Sequence, residues 1–562
     1  MESVDFSVNQ QYLKGRGAGG SLQIGVLIES LSVPRFVHAV LADIAACDFA
    51  AIACAFLESE HNASNLLSWS GPGLPAPLAA YYHLYDRRER RLPDALESVD
   101  TAPLLVGVPR VSLYGPQQEF GVPCRRDALD LILCFGSRAS AQRLAPLARH
   151  GAWFIEYGST RVQDIASALL SDFSRDEILF PVRLVGISSD GAAHKLTAEM
   201  VLSTRSRVAM ADNVSSVVWS LQHMFIQTLH KFHAGTLSPR RTARALSAST
   251  TEPASKTAPL GSALRATRWI AAAGSRRIFR RILRGARRIE WQIAIRRSTR
   301  TLVENATSAA LRDFRWLRAE PGHFWADPFL FEAGGDVWLF YEDYPYATGR
   351  AVISCGRLLD DGSLTDTRVA VDRPYHLSYP QVFEWDGAVW MIPETAGSGR
   401  VELYRCVRFP DAWILEKTLL CIRATDTTIA QVDGLWWLFV SPLPVLGQTA
   451  TTLLYCSDSP LGPWTEVAAS PVCTDVQAAR GAGRIFPHRG ALIRPSQNCA
   501  MTYGYSIRFN RIDTLTQQRF AECAVGTVLP HGVAGVQRVH TYSCVKEWEA
   551  IDAFRYADTR NV

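Results

Sequence analysis

Over residues 22–235 the hydrophobic positions fall in short unbroken runs separated by amphipathic stretches. IGVLIE (24–29), FAAIACAFL (49–57), VPRVSL (108–113), LDLILCFG (129–136) and GAWFIEYG (151–158) each predict a buried strand. Helical patterns over 32–46 and 139–149 lie between them, and VVWSLQHMFIQTLHKF (217–232) predicts a long helix that closes the region. Strands alternating with helices in this way imply an α/β domain with a parallel sheet covered on both faces. ILFPVRLVGIS and KLTAEMVLS extend the same sheet.

After residue 310 the pattern becomes a repeat. DPFLFEAGGDVWLFYED (327–343) aligns with YPQVFEWDGAVWMIPET (379–395) and, without a gap, with DTTIAQVDGLWWLFVSP (426–442); GAGRIFPHRGALIRPSQN (481–498) is a looser fourth copy. The aligned Trp338, Trp390, Trp437 and Ile493 are spaced 52, 47 and 56 residues apart. Each copy reads as strand, tight Asp/Gly turn, strand. GRAVISCGRL, GRVELYRCV, TTLLYCSDS and YGYSIRFNRI supply a third strand, and stretches such as EKTLLCI and AECAVGTVL a fourth. Four strands in roughly 50 residues make a propeller blade. VHTYSCVKEWEAIDAF (539–554) supplies a fifth, so residues 310–560 predict a five-bladed β-propeller with the repeated Trp packed between blades.

Between the two regions, residues 236–262 have the Ser/Thr/Ala/Pro composition of a linker. Residues 240–300 hold 16 Lys and Arg against Glu252 and Glu290, while the rest of the chain is mildly acidic. In 276–297, Ile278, Ile282, Ile289 and Ile293 stand at near-helical spacing among arginines, which predicts a cationic amphipathic helix for an anionic membrane surface or for internal packing. No nucleic-acid recognition motif accompanies the charge, so no nucleic-acid partner is expected. The chain starts without a secretion signal and lacks an apolar run of about 18 residues, which points to a cytoplasmic protein, at most peripheral to a membrane. The 12 cysteines show neither CxxC nor zinc spacing, and no GxGxxG or P-loop occurs. Neither a metal nor a cofactor is expected.

HFWADPFLF (323–331), SYPQVFEWDG (378–387), MIPET (391–395) and RVELYR (400–405) resemble the family of the N-terminal domain of glucosamine inositolphosphorylceramide transferases. That domain is similar in turn to the five-bladed propellers of arabinanases, levansucrases and invertases. The resemblance implies sugar chemistry, with Asp327 of Asp327-Pro328 matching a catalytic Asp of the first blade. DLILCFG with RHGAWFIEYGSTR (149–161) resembles the formyltransferase-like domain that accompanies this propeller in bacterial proteins. Formyl transfer uses a His and an Asn near these strand ends. Here the His-bearing stretch reads Phe154-Ile155-Glu156-Tyr157, so 22–235 is expected to be a degenerate relative that lacks that activity.

Blades are arranged radially, so aligned positions meet around the axis. One ring holds Asp327, Tyr379 and Asp426; another holds Glu342, Glu394, Ser441 and Gln497. Asp327, Glu394, Asp426 and Glu342 are the candidate catalytic carboxylates, one acting as base or nucleophile and one as acid. Tyr379, standing where a hydrolase places a second carboxylate, argues against ordinary hydrolysis and is expected to contact a sugar. Arg480, Arg484, Arg494, Gln497 and Asn498 make the fourth copy basic and amide-rich, which suits an acidic or phosphorylated sugar. His540 is a candidate by resemblance alone. Three readings follow: a protein of glycan or glycoconjugate biosynthesis whose propeller binds, transfers or modifies a sugar; a non-catalytic carbohydrate-binding scaffold; and, more weakly, a glycoside hydrolase.

Overall fold

The computed structural model describes residues 12–15, 20–59, 91–113, 128–158, 165, 168–169, 177–190, 194–204, 210–237 and 289–556. It divides into two compact units, Met1–Arg277 with Pro444–Gln448, and Ile278–Leu443 with Thr449–Val562.

The first unit is built on a seven-stranded sheet. Its strands run, edge to edge, Arg110–Ser112, Ala50–Leu57, Leu22–Ile28, Leu131–Cys134, Ala152–Tyr157, Leu179–Ile187 and His194–Ser203. The first five are parallel and the last two antiparallel. Unbroken apolar runs such as LILC are buried throughout, as a covered parallel sheet requires. The helix Arg35–Ala46 buries Phe36, Val37, Val40, Leu41 and Ile44. Asp43 on that helix accepts 2.7 Å from the Gln222 amide of the long helix Met210–His233. Glu156, on Ala152–Tyr157, lies 3.6 Å from Arg138.

The second unit is a five-bladed β-propeller. Blade one is His323–Ala333, Asp336–Pro345, Val352–Leu358 and Leu364–Val371, from axis to rim. Blades two and three follow the same order from Ser378–Trp385 and Ala424–Val432. Blade four has an interrupted inner strand, Arg480–Gly481 and Phe486–His488, against Ala491–Asn498. The cross-strand pairs Phe331–Trp338, Phe383–Trp390, Ala430–Trp437 and Phe486–Ile493 share one register, as the repeat predicted. Trp437 packs in one cluster with Ile485, Leu492 and Ile512 of the next blade.

Blade five departs from the expected layout. Val536–Val545 and Trp548–Tyr556 form its inner half, and Ile289–Arg297 with Arg315–Trp316 its outer half. The amphipathic-helix expectation for 276–297 is therefore wrong for its second half: Ile289–Arg297 is a strand, antiparallel to Trp548–Tyr556 along its whole length. Residues 276–288 lie outside the described residues, as does the linker 236–262 from residue 238 on. The physical reason lies in the periodicity. Ile293 and Ile295, with Trp291, alternate at period two, and a four-residue isoleucine spacing fits either element. Ile293 and Ile295 are buried in one inter-blade cluster with Leu339 and Ala550, while Ala294 between them packs into the cluster shared with blade four. Arg296 is not a free cation. Its Nε donates to Glu549 at 2.6 Å, and Glu549 also accepts the Leu302 N–H at 2.6 Å and the Tyr542 hydroxyl. The propeller thus takes in Ile289–Arg297, upstream of the expected 310.

Ring closure then rests on Ile293 and Ile295. Ile295→Ala should cost about 2–5 kcal/mol, the usual range for a buried isoleucine. A surface change such as Arg297→Ala should cost under about 1 kcal/mol, because its pair with Glu547 is exposed. Equal urea midpoints for the two variants would contradict the closure.

Candidate active site

Every regular inner strand breaks register at an equivalent place: between Ala326 and Phe329, Ser378 and Gln381, Thr425 and Thr428, and Val539 and Tyr542, the last strand having a further shift between Val536 and Arg538. Two residues sit unpaired in each bulge, the first being Asp327, Tyr379, Asp426 and His540. Asp327, Tyr379 and Asp426 adopt left-handed backbone, with φ of 49°, 48° and 46°. Such conformations are held by their surroundings and gather at functional sites. In blade four Gly481 takes the equivalent place, where a Cβ would come 2.6 Å from the Asp426 carbonyl oxygen and 2.9 Å from the Tyr379 hydroxyl.

Asp327 and Asp426 are nearly fully buried, at 4% and 2% exposure, and both oxygens of Asp327 are used. Asp327 accepts from the Thr541 hydroxyl at 2.6 Å and from the Tyr379 N–H at 3.2 Å. His540 Nε2 stands 3.7 Å away. Burial pushes Asp327 up to about 7, opposed by the His540 cation and reinforced by Glu342, Asp552 and Asp426. Asp426 accepts from Arg480 Nε and from the Gln497 amide at 3.0 Å. Glu394 takes the Asp426 N–H at 3.3 Å and lies 3.6 Å from the second arm of Arg480. Burial and the adjoining Asp426 charge raise the Glu394 carboxyl well above the usual range, against the pull of Arg480. The side chains of Glu394 and Arg480 keep 12% and 14% exposure, more than the two aspartates below them.

His540 completes the ring. Its Nδ1 is 2.7 Å from Asp552, its ring stacks on Trp291 at 3.9 Å and 16°, and Tyr503 meets it edge-on at 5.4 Å. Burial disfavours the imidazolium, but Asp552 and Asp327 outweigh it and raise His540 to about 9. Asp552 also accepts the backbone N–H of Asp327 at 2.9 Å and of Thr541 at 2.9 Å. Among the described residues Asp327, His540 and Asp552 alone offer ligand atoms close enough, within 4.8 Å of one another, to hold a metal ion. One imidazole and two carboxylates suit a divalent cation, but the oxygens already accept the Thr541 hydroxyl and backbone N–H groups. As placed, the three form a hydrogen-bonded cluster.

The remaining expected site residues are placed less favourably. Tyr379 faces the core. Its hydroxyl bonds Thr428 at 2.8 Å, accepts the Gly483 N–H at 2.7 Å and donates to the Gly483 carbonyl at 3.1 Å. It is fully buried and offers no face to a sugar. Arg494 is buried and held by both oxygens of Glu522, at 2.8 and 2.6 Å, so it does not stand at the rim. Arg484 donates to the Val382 carbonyl at 2.6 Å. Asn498 caps the Ala500 N–H at 3.0 Å. Glu342 is buried beside His376, 3.3 Å away. Conversely, the sequence reading passed over Trp291, Asp552 and Thr541. Thr541 and Asp552 sit in the fifth copy, where a bulge aligned on Asp327 would have found them. Trp291 was hidden in the segment read as a helix.

With this geometry in place, comparison with known proteins is direct. Residues 309–540 match the family model described as Glucosamine inositolphosphorylceramide transferase 1, N-terminal. The resemblance carried by the propeller motifs therefore holds. Glucosamine inositolphosphorylceramide transferase 1 of Oryza sativa subsp. japonica is 38% identical over 210 residues, which cover 36% of this chain and 28% of the relative. The Arabidopsis thaliana protein of the same name is 34% identical over the same shares. The chain thus spans under a third of the length of these relatives. Among solved structures, a GH43_1 enzyme from Xanthomonas citri is similar at 12% identity and TM-score 0.33, over 42% of this chain and 87% of that one. The family 117 glycoside hydrolase Zg3597 from Zobellia galactanivorans is similar at 12% and 0.31, over 47% and 90%. These two similarities say nothing of the site's chemistry.

The His540 cluster makes stability depend on pH in a defined sense. His540 is raised above its unfolded value, so its contribution is complete below about pH 6.5 and is lost as pH rises through about 9. Asp327 acts in the same sense lower down, because the folded state keeps a proton up to about pH 7 that the unfolded chain releases near 3.8. Unfolding free energy should fall by up to about 3 kcal/mol between pH 6.5 and 9. His540→Gln should flatten that slope; a variant with the same slope would show that His540 is not its source.

Proposed function

We propose that the propeller binds a sugar unit of a glycoconjugate at the Glu394 end of its channel, and that Glu394 acts there as proton donor in transfer or modification of that sugar. The observation that carries this reading is the Glu394–Asp426 carboxyl pair beside Arg480. Two carboxyl groups at close quarters do not both ionise easily, so one is kept as an acid. Glu394 is the more accessible and is held protonated by burial and by Asp426. A protonated carboxyl gives its proton to a departing sugar oxygen, while an ionised neighbour stabilises the positive charge that develops at the anomeric carbon. Asp327, pushed up to about 7, is the group best matched to exchange a proton near neutrality.

The charge balance favours an amino sugar over an acidic one. Asp327, Glu342, Glu394 and Asp426 act on one another electrostatically, whereas Arg480 and Arg494 are occupied by carboxylates. The relatives' name contains glucosamine, and a glucosamine-bearing glycoconjugate fits an acidic mouth lined by Tyr503. A non-catalytic carbohydrate-binding role is the second reading, favoured by the hydrogen bonds on both oxygens of Asp327 and the Arg480 and Gln497 contacts on Asp426. Hydrolysis is disfavoured because Tyr379, which takes the blade-two bulge, is neutral and buried.

Ligand-observed NMR with glucosamine and glucose tests the binding. Glucosamine should bind more tightly, and Glu394→Gln should weaken it about tenfold without moving the thermal midpoint by more than a few degrees. Equal binding of both sugars by both proteins would remove the site. With an aryl glucosaminide donor and added acceptors, turnover lost by about 10²–10⁴-fold in Glu394→Gln would support the proton-donor role; binding with no turnover in the parent protein would favour the scaffold.

A further inference from the structure

Blade four carries Arg480, Arg484 and Arg494 in its inner half, and only two of the three have a counter-charge. Arg480 is answered by Asp426 and Glu394, and Arg494 by Glu522. Arg484 lies three residues beyond Gly481, where the inner strand of blade four is interrupted. Its Nη2 donates to the Val382 carbonyl at 2.6 Å, on the inner strand of blade two. Blades two and four are not neighbours in the ring, so the guanidinium crosses the central channel. The adjoining Gly483–Tyr379 contacts cross it too.

Arg484 Nε is buried and has no hydrogen-bond acceptor. No carboxylate of the described residues acts on it. The one ionisable neighbour is Cys544 of blade five, whose thiol burial pushes up to about 11 and so keeps neutral near pH 7. Burial alone disfavours the cation, yet a guanidinium does not shed its proton in a protein. The side chain keeps partial exposure, but its Nε is buried, and a buried donor on a cation with no acceptor is costly; a counter-ion relieves that cost.

We infer that the central channel holds a small monatomic anion of the halide class against Arg484 Nε, where blades two, four and five meet. A halide needs one well-directed N–H and a nearby positive charge, and Nε supplies both. A phosphate or carboxylate calls for a two-pronged donor set, and part of that fork is spent on Val382. The site is separate from the Glu394 end and does not depend on any sugar chemistry.

The test is thermal unfolding of the full chain at constant ionic strength as gluconate is replaced by chloride or bromide. The parent protein should gain a few degrees in Tm in a saturable manner. Arg484→Met should lose the response and be no less stable than the parent in gluconate, because it removes the unmatched charge. Should Arg484→Met fail to fold, Arg484→Lys keeps the charge but displaces the donor, and should shift the halide midpoint at least tenfold. An unresponsive parent protein, a halide response retained in Arg484→Met, an unchanged midpoint in Arg484→Lys, or a larger gain from inorganic phosphate than from halide would each overturn the inference.

Discussion

The propeller exists because two segments some 250 residues apart in sequence pair as neighbouring strands. Ile289–Arg297 lies antiparallel to Trp548–Tyr556 over its whole length. Sharing the last blade between the first and last strands closes the ring; otherwise the facing sides of blades one and five stay open to water. Ile293 and Ile295 fill the side of that joint facing blade one and Ala294 the side facing blade four, and the buried Arg296–Glu549 pair, with the Leu302 N–H and Tyr542 hydroxyl on the same glutamate, fixes its register. Removing one partner of such a pair strands the other, so the joint has one good register.

The site inherits its geometry from that ring. Five inner strands meet at the axis, and four of them carry a two-residue bulge at the same level. Bulges re-aim side chains, and here they bring Asp327, Asp426 and His540 toward one another although each belongs to a different blade. The strain of left-handed backbone at Asp327, Tyr379 and Asp426 is held by bonds across blade boundaries: Asp552 to the Asp327 amide, Asp327 to the Tyr379 amide, Glu394 to the Asp426 amide. The same carboxylates therefore serve both architecture and electrostatics. Burial, more than any single neighbour, sets the proton affinity of Asp327 and Glu394.

Much of this was legible in the chain before any coordinates. The gapless alignment of three copies on Trp338, Trp390 and Trp437 forecasts the blades because inter-blade packing repeats the same residue at the same register. It also places Asp327 with Asp426 and Glu342 with Glu394, since position in a radial repeat is position in space. Three things were hidden. The outer strand of blade five has no place in the repeat, and its isoleucine spacing fits a helix as well as a strand. The partners of arginines are set by contacts between distant residues, so Arg494 looked available until Glu522 was found beside it. The inward turn of Tyr379 depends on the missing side chain at Gly481, a vacancy that only the packed ring reveals.

The joint also has a consequence in time. During synthesis Ile289–Arg297 emerges long before Trp548–Tyr556, and at ordinary elongation rates of about 5–20 residues per second the wait is on the order of tens of seconds. Through that interval the nascent chain carries an apolar strand whose proper mate does not yet exist. Natural proteins guard such exposed strands with charge, arginine and lysine above all. The arginine-rich sequence over 276–297, which first suggested a membrane, is suited to that guarding: it repels like copies on neighbouring nascent chains until the last blade arrives to claim its strand.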